Sequence, residues 1–308
     1  MITSDALSAA ERTRVEALLE ECTAHDGVAA LDEAARLALT GPGARHLLLP
    51  SDDETAILGY ASLLPDGTVQ GMVHPGARRR GLGSHLLQAV LELRPDAGVW
   101  AHGALDEALA FLASHGLRVT RRLLTLQRDL GSDSAQGQDA PSAPLPPVPP
   151  ARIEGLELDS FDADRDAQAW LELNAQAFAD HPEQGSLTLA DLERRLRENW
   201  FDPEDFLLAR RGDDLLGFVW MKREHADRRD DAAPAVAEIY VVGTAPEAQG
   251  RGVAGHLLGT ALHRLQDTGA DRVELYVEAD NTAALELYRR WGFDLAHEDA
   301  QLRLPEAG

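Results

Sequence analysis

Short apolar runs alternate with longer amphipathic ones along this chain, and the whole alternation occurs twice. In the first half, apolar runs at 45–49, 56–63 and 69–73 read as strands. Apolar residues at helical spacing over 82–93 follow, then a short strand at 98–101 and a second helix ending at Gly116-Leu117. The second half repeats the order, with strands at 206–209, 215–221 and 239–242, a helix at 253–265, a strand at 272–277 and a helix ending at Gly292-Phe293. A glycine followed by an apolar residue is a helix C-cap signature. Strands and helices mixed in this order make each half α/β or α+β.

Between the halves, residues 131–150 carry 6 of the 16 prolines and no apolar periodicity, so the stretch is expected to be a linker. It separates a domain at 1–130 from one at 151–308, each long enough for its own core. The halves are related by duplication. Pro75-Gly-Ala-Arg-Arg-Arg-Gly-Leu-Gly-Ser-His-Leu-Leu87 aligns without gaps on Pro246-Glu-Ala-Gln-Gly-Arg-Gly-Val-Ala-Gly-His-Leu-Leu258, with seven of thirteen positions identical.

Charge narrows the function classes. The 308 residues hold 29 basic and 52 acidic side chains, a net of −23, which argues against binding nucleic acid or anionic lipid. No run approaches the length of a membrane span, and the first residues lack the basic-then-apolar order of a signal peptide. One cysteine, Cys22, forms no internal disulfide and is expected to pack within a helix; a cytoplasmic monomer is expected. No histidine or cysteine cluster has metal-ligand spacing. Of the basic residues, 28 are arginine and only Lys222 is lysine.

The repeated element has the form (Arg or Gln)-x-x-Gly-x-(Gly or Ala): Arg78 to Gly83 in one copy, Gln249 to Ala254 in the other. Placed after a strand and opening a helix, its glycines let backbone approach a ligand, and the first-turn N–H groups suit an anion such as a pyrophosphate. A dinucleotide fold is excluded, because G-x-G-x-x-G and its distal acidic residue are missing; the P-loop lysine and hydroxyl are missing too. With this motif in both halves, the chain resembles the GNAT acetyltransferases, in tandem: two domains, each a mixed central sheet flanked by helices.

Asp26-Gly-Val-Ala29, Trp100-Ala-His-Gly103, His181-Pro-Glu-Gln-Gly185, Trp200-Phe-Asp-Pro203, Glu238 to Gly243 and Tyr276 to Asn281 are similar to the mycothiol acetyltransferase (mycothiol synthase) family. That resemblance implies acetyl transfer from acetyl-CoA to the cysteine amine of cysteinyl-glucosaminyl-inositol, a small-molecule thiol pseudodisaccharide. It implies coenzyme contacts at Met72, Val73, Arg79, Arg80, Gly81, Leu82, Gly83 and Ser84 in the first half. In the second half it implies them at Val242, Gly243, Thr244, Gln249, Gly250, Arg251, Gly252, Val253, Ala254 and Gly255, and at Asn281, Thr282, Ala283, Ala284, Leu285 and Glu286. Substrate contacts are implied at Glu33, Glu183, Lys222, Glu238 and Tyr276.

Amide formation needs a base for the amine, a donor for the thioester oxygen and an acid for the leaving thiolate. Glu238, eight residues before Pro246, and Tyr288, four before Gly292, are the expected base and acid; their counterparts by sequence offset are Gly67 and Leu112. Chemistry is therefore expected in the second half, with the first half binding coenzyme only. Spacing alone leaves Glu238 open as a solvated residue, Tyr288 as a core aromatic and Asn281 as an N-cap. Two other readings stay open: transfer to another amine (an aminoglycoside or a protein N-terminus), or a non-catalytic acetyl-CoA sensor.

Overall fold

Ser8 and Glu11 close a capping box at the start of the first long helix, and Gly27 ends it in the left-handed conformation that only glycine adopts cheaply. Local signals of this kind place most elements. The computed structural model describes residues 1–41, 43–131, 144–179, 182–223 and 235–305. In chain order these form β1 (Ile2–Ser4), α1 (Ala9–Asp26), α2 (Glu33–Ala38), β2 (Arg45–Pro50), β3 (Ile57–Leu63), β4 (Thr68–Val73), α3 (Leu82–Leu93), β5 (Gly98–Ala101), α4 (Asp106–Ser114) and β6 (Arg118–Asp129). There follow β7 (Glu157–Ser160), α5 (Ala163–Ala177), α6 (Pro182–Gly185), α7 (Leu189–Arg195), β8 (Phe206–Arg211), β9 (Asp214–Arg223), β10 (Val236–Thr244), α8 (Val253–Asp267), β11 (Arg272–Glu278), α9 (Thr282–Arg290) and β12 (Asp294–Arg303).

Two compact units result. Unit 1 takes the described parts of Met1–Leu124, Glu278–Asp280 and His297–Gly308; unit 2 takes those of Thr125–Val277 and Asn281–Ala296. Within unit 1 the strand order is β1-β2-β3-β4-β5, then the end of β12, then β6. β12 pairs antiparallel with β5 through Ala300 to Leu302, so the end of this strand, from His297 on, belongs to the first unit. One face of this sheet packs Val15, Leu18, Leu19 and Cys22 of α1 against Leu48, Tyr60 and Met72. The other packs Leu86, Leu87 and Val90 of α3 against Leu47, Ala61, Val69 and Val99. Cys22 is a core residue as expected, and burial pushes its thiol above the usual range.

In unit 2 the order is β6-β11-β10-β9-β8-β7. α5 lays Trp170 edge-on against Phe206, Phe218 and Trp220, all fully buried. Removing so large a core ring costs about 3–5 kcal/mol. α8 buries Leu257, Leu258, Ala261, Leu262 and Leu265. Residues 132–143 of the proline-rich stretch lie outside the described residues, but its end lies along α8: the carbonyls of Pro146 and Pro149 meet rings of His263 and His256 at 3.0 and 2.9 Å.

Asp166 anchors the start of α5 against β8. It is 1% exposed, pairs with Arg210 and, at 2.8 Å, with Arg165, and accepts the Asp162 N–H at 2.9 Å. Burial alone raises its carboxyl, but the hydrogen bonds from Arg165 and the Asp162 N–H outweigh that and hold it below the usual carboxylate range. A depressed carboxylate stabilises the fold above its unfolded pKa and loses that contribution as pH falls through the folded one. Asp166→Ala is expected to cost about 3 kcal/mol in urea denaturation at pH 7, by leaving Arg210 unpaired. The gap to wild type should close as pH falls below about 4.

Candidate active site

Each copy of the repeated element folds the same way, dihedral for dihedral. β10 passes into a single 3-10 turn at Pro246–Ala248, then Gly250 (φ +69°) and Gly252 (φ +84°) turn left-handed before α8. β4 passes into the turn Pro75–Ala77, then Arg79 (φ +64°) and Gly81 (φ +84°) turn the same way before α3. Arg79 thus holds, with a side chain, the conformation that its partner copy gives to Gly250; such a backbone costs about 1–2 kcal/mol for a residue with a Cβ. Neither helix has a side-chain N-cap, so the first-turn N–H groups of Leu82, Gly83 and Ser84, and of Val253, Ala254 and Gly255, have no intrahelical or capping acceptor. Two uncapped helix N-termini behind left-handed turns fit a diphosphate such as that of coenzyme A.

The arginines of the two loops differ. Arg78 forks onto Asp26 at 2.8 and 2.6 Å and also donates to the Val73 carbonyl, so it braces the first loop; Gln249 stands in its place in the second. Arg251 faces the carbonyl of Arg152 at 3.4 Å. Arg152, in turn, donates its backbone N–H to the Arg251 carbonyl at 2.7 Å and its guanidinium to the Gly250 carbonyl at 2.8 Å. Sequence reasoning gave Arg152 no role, and its only signal was a basic residue just past the prolines. Met72 sends its side chain into the core, which leaves its backbone for any coenzyme contact, and Ser84 shares a hydrogen bond with His115 at 2.9 Å.

Unit 2 gathers three of the expected substrate residues on one sheet face. Glu238 of β10 stands directly across from Lys222 of β9 and beside Glu274 of β11, two residues from Tyr276 on the same face. The Lys222 ammonium lies 5.4 Å above the Trp200 ring, which favours a cation there. Tyr276 is 53% exposed. Just beyond Glu238 the β9–β10 register slips by one residue at Tyr240, a bulge that re-aims the strand. Pairing of β10 with β11 also covers only Val236 to Glu238, so the strands part ahead of Val242, Gly243 and Thr244. A Cβ at Gly243 would lie 2.7 Å from the Phe218 ring and 3.2 Å from Ala177, so glycine is needed there.

Tyr288 is buried on α9 against Phe293, and burial pushes its phenol up to about 12. Asn281 does cap this helix, its Oδ1 accepting the Ala284 N–H at 3.1 Å, so Thr282, Ala283, Ala284 and Leu285 form the first turn and Glu286 follows on the exposed side. Glu183 lies on α6 in unit 2, whereas Glu33 opens α2 in unit 1.

The bulge corrects one equivalence. The β3–β4 ladder runs without a slip, and Gly59 pairs with Val73 as Gly217 pairs with Thr244. Counting from there, the residue of β4 in the place of Glu238 is Thr68, whose carbonyl accepts the Leu64 N–H, and not Gly67, which sits in the preceding turn. The first copy still lacks a carboxylate there, and Leu112 is buried where the second copy has Tyr288.

A family model described as the acetyltransferase (GNAT) family matches residues 12–117 and again 168–293. Over its full length the chain is 52% identical to the mycothiol acetyltransferase of Brachybacterium faecium, and all of that protein is covered. The chain belongs to the mycothiol acetyltransferase family of GNAT enzymes. The enzyme of that name from Thermobispora bispora is 45% identical over 92% of both chains, and that from Rhodococcus erythropolis 42% over 96% of this chain and 97% of the other. The fold matches a GCN5-related N-acetyltransferase of Sphaerobacter thermophilus with a TM-score of 0.70, at 24% identity over 98% of this chain and 94% of the other. It also matches a tandem GNAT protein from the clavulanic acid biosynthesis pathway at 0.65, with 19% identity and 98% of both chains covered. Both units are thus GNAT domains, and the chain is an N-acetyltransferase. Among the described residues, no group of three His, Cys, Asp or Glu side chains has the arrangement of a metal site, and no helix is long and apolar enough to cross a membrane.

The loop geometry makes a paired prediction. Gly252→Ala is expected to destabilise by about 1 kcal/mol and to raise KM for acetyl-CoA, because alanine resists φ +84°. Arg79→Gly, which relieves the same conformation in the first copy, should leave the melting temperature unchanged or higher. Thermal denaturation and steady-state kinetics of both variants check this.

Proposed function

We propose that the protein transfers acetyl from acetyl-CoA to the cysteine amine of cysteinyl-glucosaminyl-inositol, the last step of mycothiol synthesis. The observation that carries this reading is the juxtaposition of Glu238 and Lys222 across the β9–β10 ladder, immediately before a bulge and the parting of β10 from β11. Acetyl-CoA supplies the activated thioester. Glu238 takes the proton of the acceptor ammonium, directly or through one water, so that the nitrogen lone pair attacks the carbonyl carbon. A backbone N–H at Val242 or Gly243 donates to the oxygen as negative charge develops on it. As the C–S bond breaks, Tyr288 supplies the proton that the departing sulfur takes up. A phenol held at about 12 keeps that proton throughout the neutral range.

Lys222, Tyr276, Glu183 and Glu33 hold the acceptor in this reading. Carboxylates accept from sugar and inositol hydroxyls or from the amine, and the Lys222 ammonium is a compact donor where a planar guanidinium would not substitute. The division of labour follows the sequence halves. Residues 151–308 carry the chemistry, while 1–130 keep a coenzyme loop without a base or an acid, and 131–150 connect them. We place the enzyme in the cytoplasm as a monomer.

Free-thiol release from acetyl-CoA in the presence of the desacetyl pseudodisaccharide tests the reading; release no faster than with an aminoglycoside or a peptide N-terminus would overturn it. Glu238→Gln and Tyr288→Phe are each expected to lower kcat by about 10²-fold or more, with KM for acetyl-CoA little changed. Wild-type turnover in the Glu238 variant at neutral pH rules out its role as base.

A further inference from the structure

Two motifs of the first half have no part in the reaction so far: Asp26-Gly-Val-Ala29 and Trp100-Ala-His-Gly103. They meet in unit 1. Gly103 adopts φ +68°, and a Cβ there would lie 3.0 Å from Cγ1 of Val28. The turn that Gly103 makes presents His102 between two oxygens. Its Nδ1 lies 3.2 Å from Oδ2 of Asp299, and its Nε2 lies 3.2 Å from Oε1 of Gln70. The other Asp299 oxygen accepts the Gly103 N–H at 2.7 Å, so the carboxylate grips the turn through both of its atoms.

Gln70 carries the connection onward. It is 1% exposed, and its Oε1 also accepts the backbone N–H of Asp32 at 2.7 Å. A backbone N–H only donates, so the amide orientation is fixed with oxygen toward Asp32 and toward His102. Both ring nitrogens of His102 therefore face acceptor oxygens. Asp32 in turn caps α2, its Oδ1 accepting the Ala35 N–H at 2.8 Å, and the first residue of that helix is Glu33. A directional, part-buried chain thus runs from Asp299 through His102 and the buried Gln70 to the start of the helix whose carboxylate the proposed function assigns to the acceptor.

We propose that Asp299, His102 and Gln70 are positioning residues for acceptor binding, and that they act by fixing the start of the helix that presents Glu33. The inference rests on the reading of Glu33 as an acceptor contact. The physical reason for such a relay is the length of α2: a helix of six residues is marginal by itself, so the bonds to its first peptide groups act together with the burial of Ala35 and Ala38 in fixing it. Losing the Gln70 acceptor strands the Asp32 N–H in a part-buried place, and the cap then has to be re-formed in another orientation.

Steady-state kinetics with acetyl-CoA and cysteinyl-glucosaminyl-inositol test this. Gln70→Leu is expected to raise KM for the acceptor about tenfold, with kcat and KM for acetyl-CoA within about twofold of wild type. Gln70→Glu keeps an oxygen for the Asp32 N–H and for His102, so it should restore the acceptor KM to within about threefold. His102→Phe, which keeps a ring beside Trp100 and removes both donors, should reproduce the Gln70→Leu pattern and serves where the leucine variant does not fold. Because the relay acts through Glu33, adding Gln70→Leu to Glu33→Gln should raise KM no further than Glu33→Gln alone. An unchanged acceptor KM in both single relay variants, equal losses in kcat and both KM values, or multiplicative effects in the double variant overturns the proposal. If Glu33→Gln by itself leaves the acceptor KM unchanged, the reading of Glu33 fails instead, and with it the basis of the relay.

Discussion

Beyond Glu238, β10 gives up its ladder with β11, and the rest of unit 2 is arranged around that loss. Backbone N–H groups left without ladder partners are costly where water is scarce, at about 1–3 kcal/mol each. They are tolerable at the edge of a cleft, where a ligand or solvent meets them. The bulge at Tyr240 and the left-handed turns at Gly250 and Gly252 lead on from there to the uncapped start of α8, whose first peptide donors have no capping side chain. The aromatic packing of Trp170 with Phe206, Phe218 and Trp220 beneath this path supplies the rigidity against which it stays open.

The two copies of the domain share the loop and differ in the strand before it and in two side chains. Unit 1 keeps the left-handed turns, the uncapped α3 and a parallel β4–β5 ladder limited to Thr68 and Val69. It lacks the bulge, and it has Thr68 and Leu112 where unit 2 has Glu238 and Tyr288. Anion-binding geometry is a property of the loop and survives by itself. The carboxylate and the phenol depend on a re-aimed strand and two particular side chains, so one unit can lack them without losing its fold.

Much of the fold was readable because its signals are local. The repeat of thirteen residues, the capping residues and the glycine-plus-apolar helix ends each fix a few neighbouring dihedrals. Thus Leu117 and Phe293 donate back to Leu112 and Tyr288 in matching caps, at 3.2 and 3.1 Å. Where the reading went astray, the missing information was non-local. The offset of eight residues to Pro75 pointed to Gly67 rather than Thr68 because a bulge adds a residue to one strand and leaves little trace in composition. Arg152 stands just past the stretch read as a linker, yet its backbone and side chain are bonded to the carbonyls of Arg251 and Gly250 in the second glycine loop.

The strand at 294–303 is not marked in the sequence, and no residue within it says which sheet it joins. Its place in unit 1 comes with contacts to residues nearly two hundred positions away: His102 and Gly103 with Asp299, Thr120 with Gln301, and Arg122 with Glu298. The sequence by itself determined the duplication, the two glycine-rich loops and the strands and helices that flank them. Only the tertiary structure decided that Glu238 faces Lys222, where β10 leaves β11, and that His102 and Gln70 tie Asp299 to the helix of Glu33. Backbone torsions answer to neighbours in the chain, whereas strand register and side-chain partners are settled by which distant surfaces bury each other best.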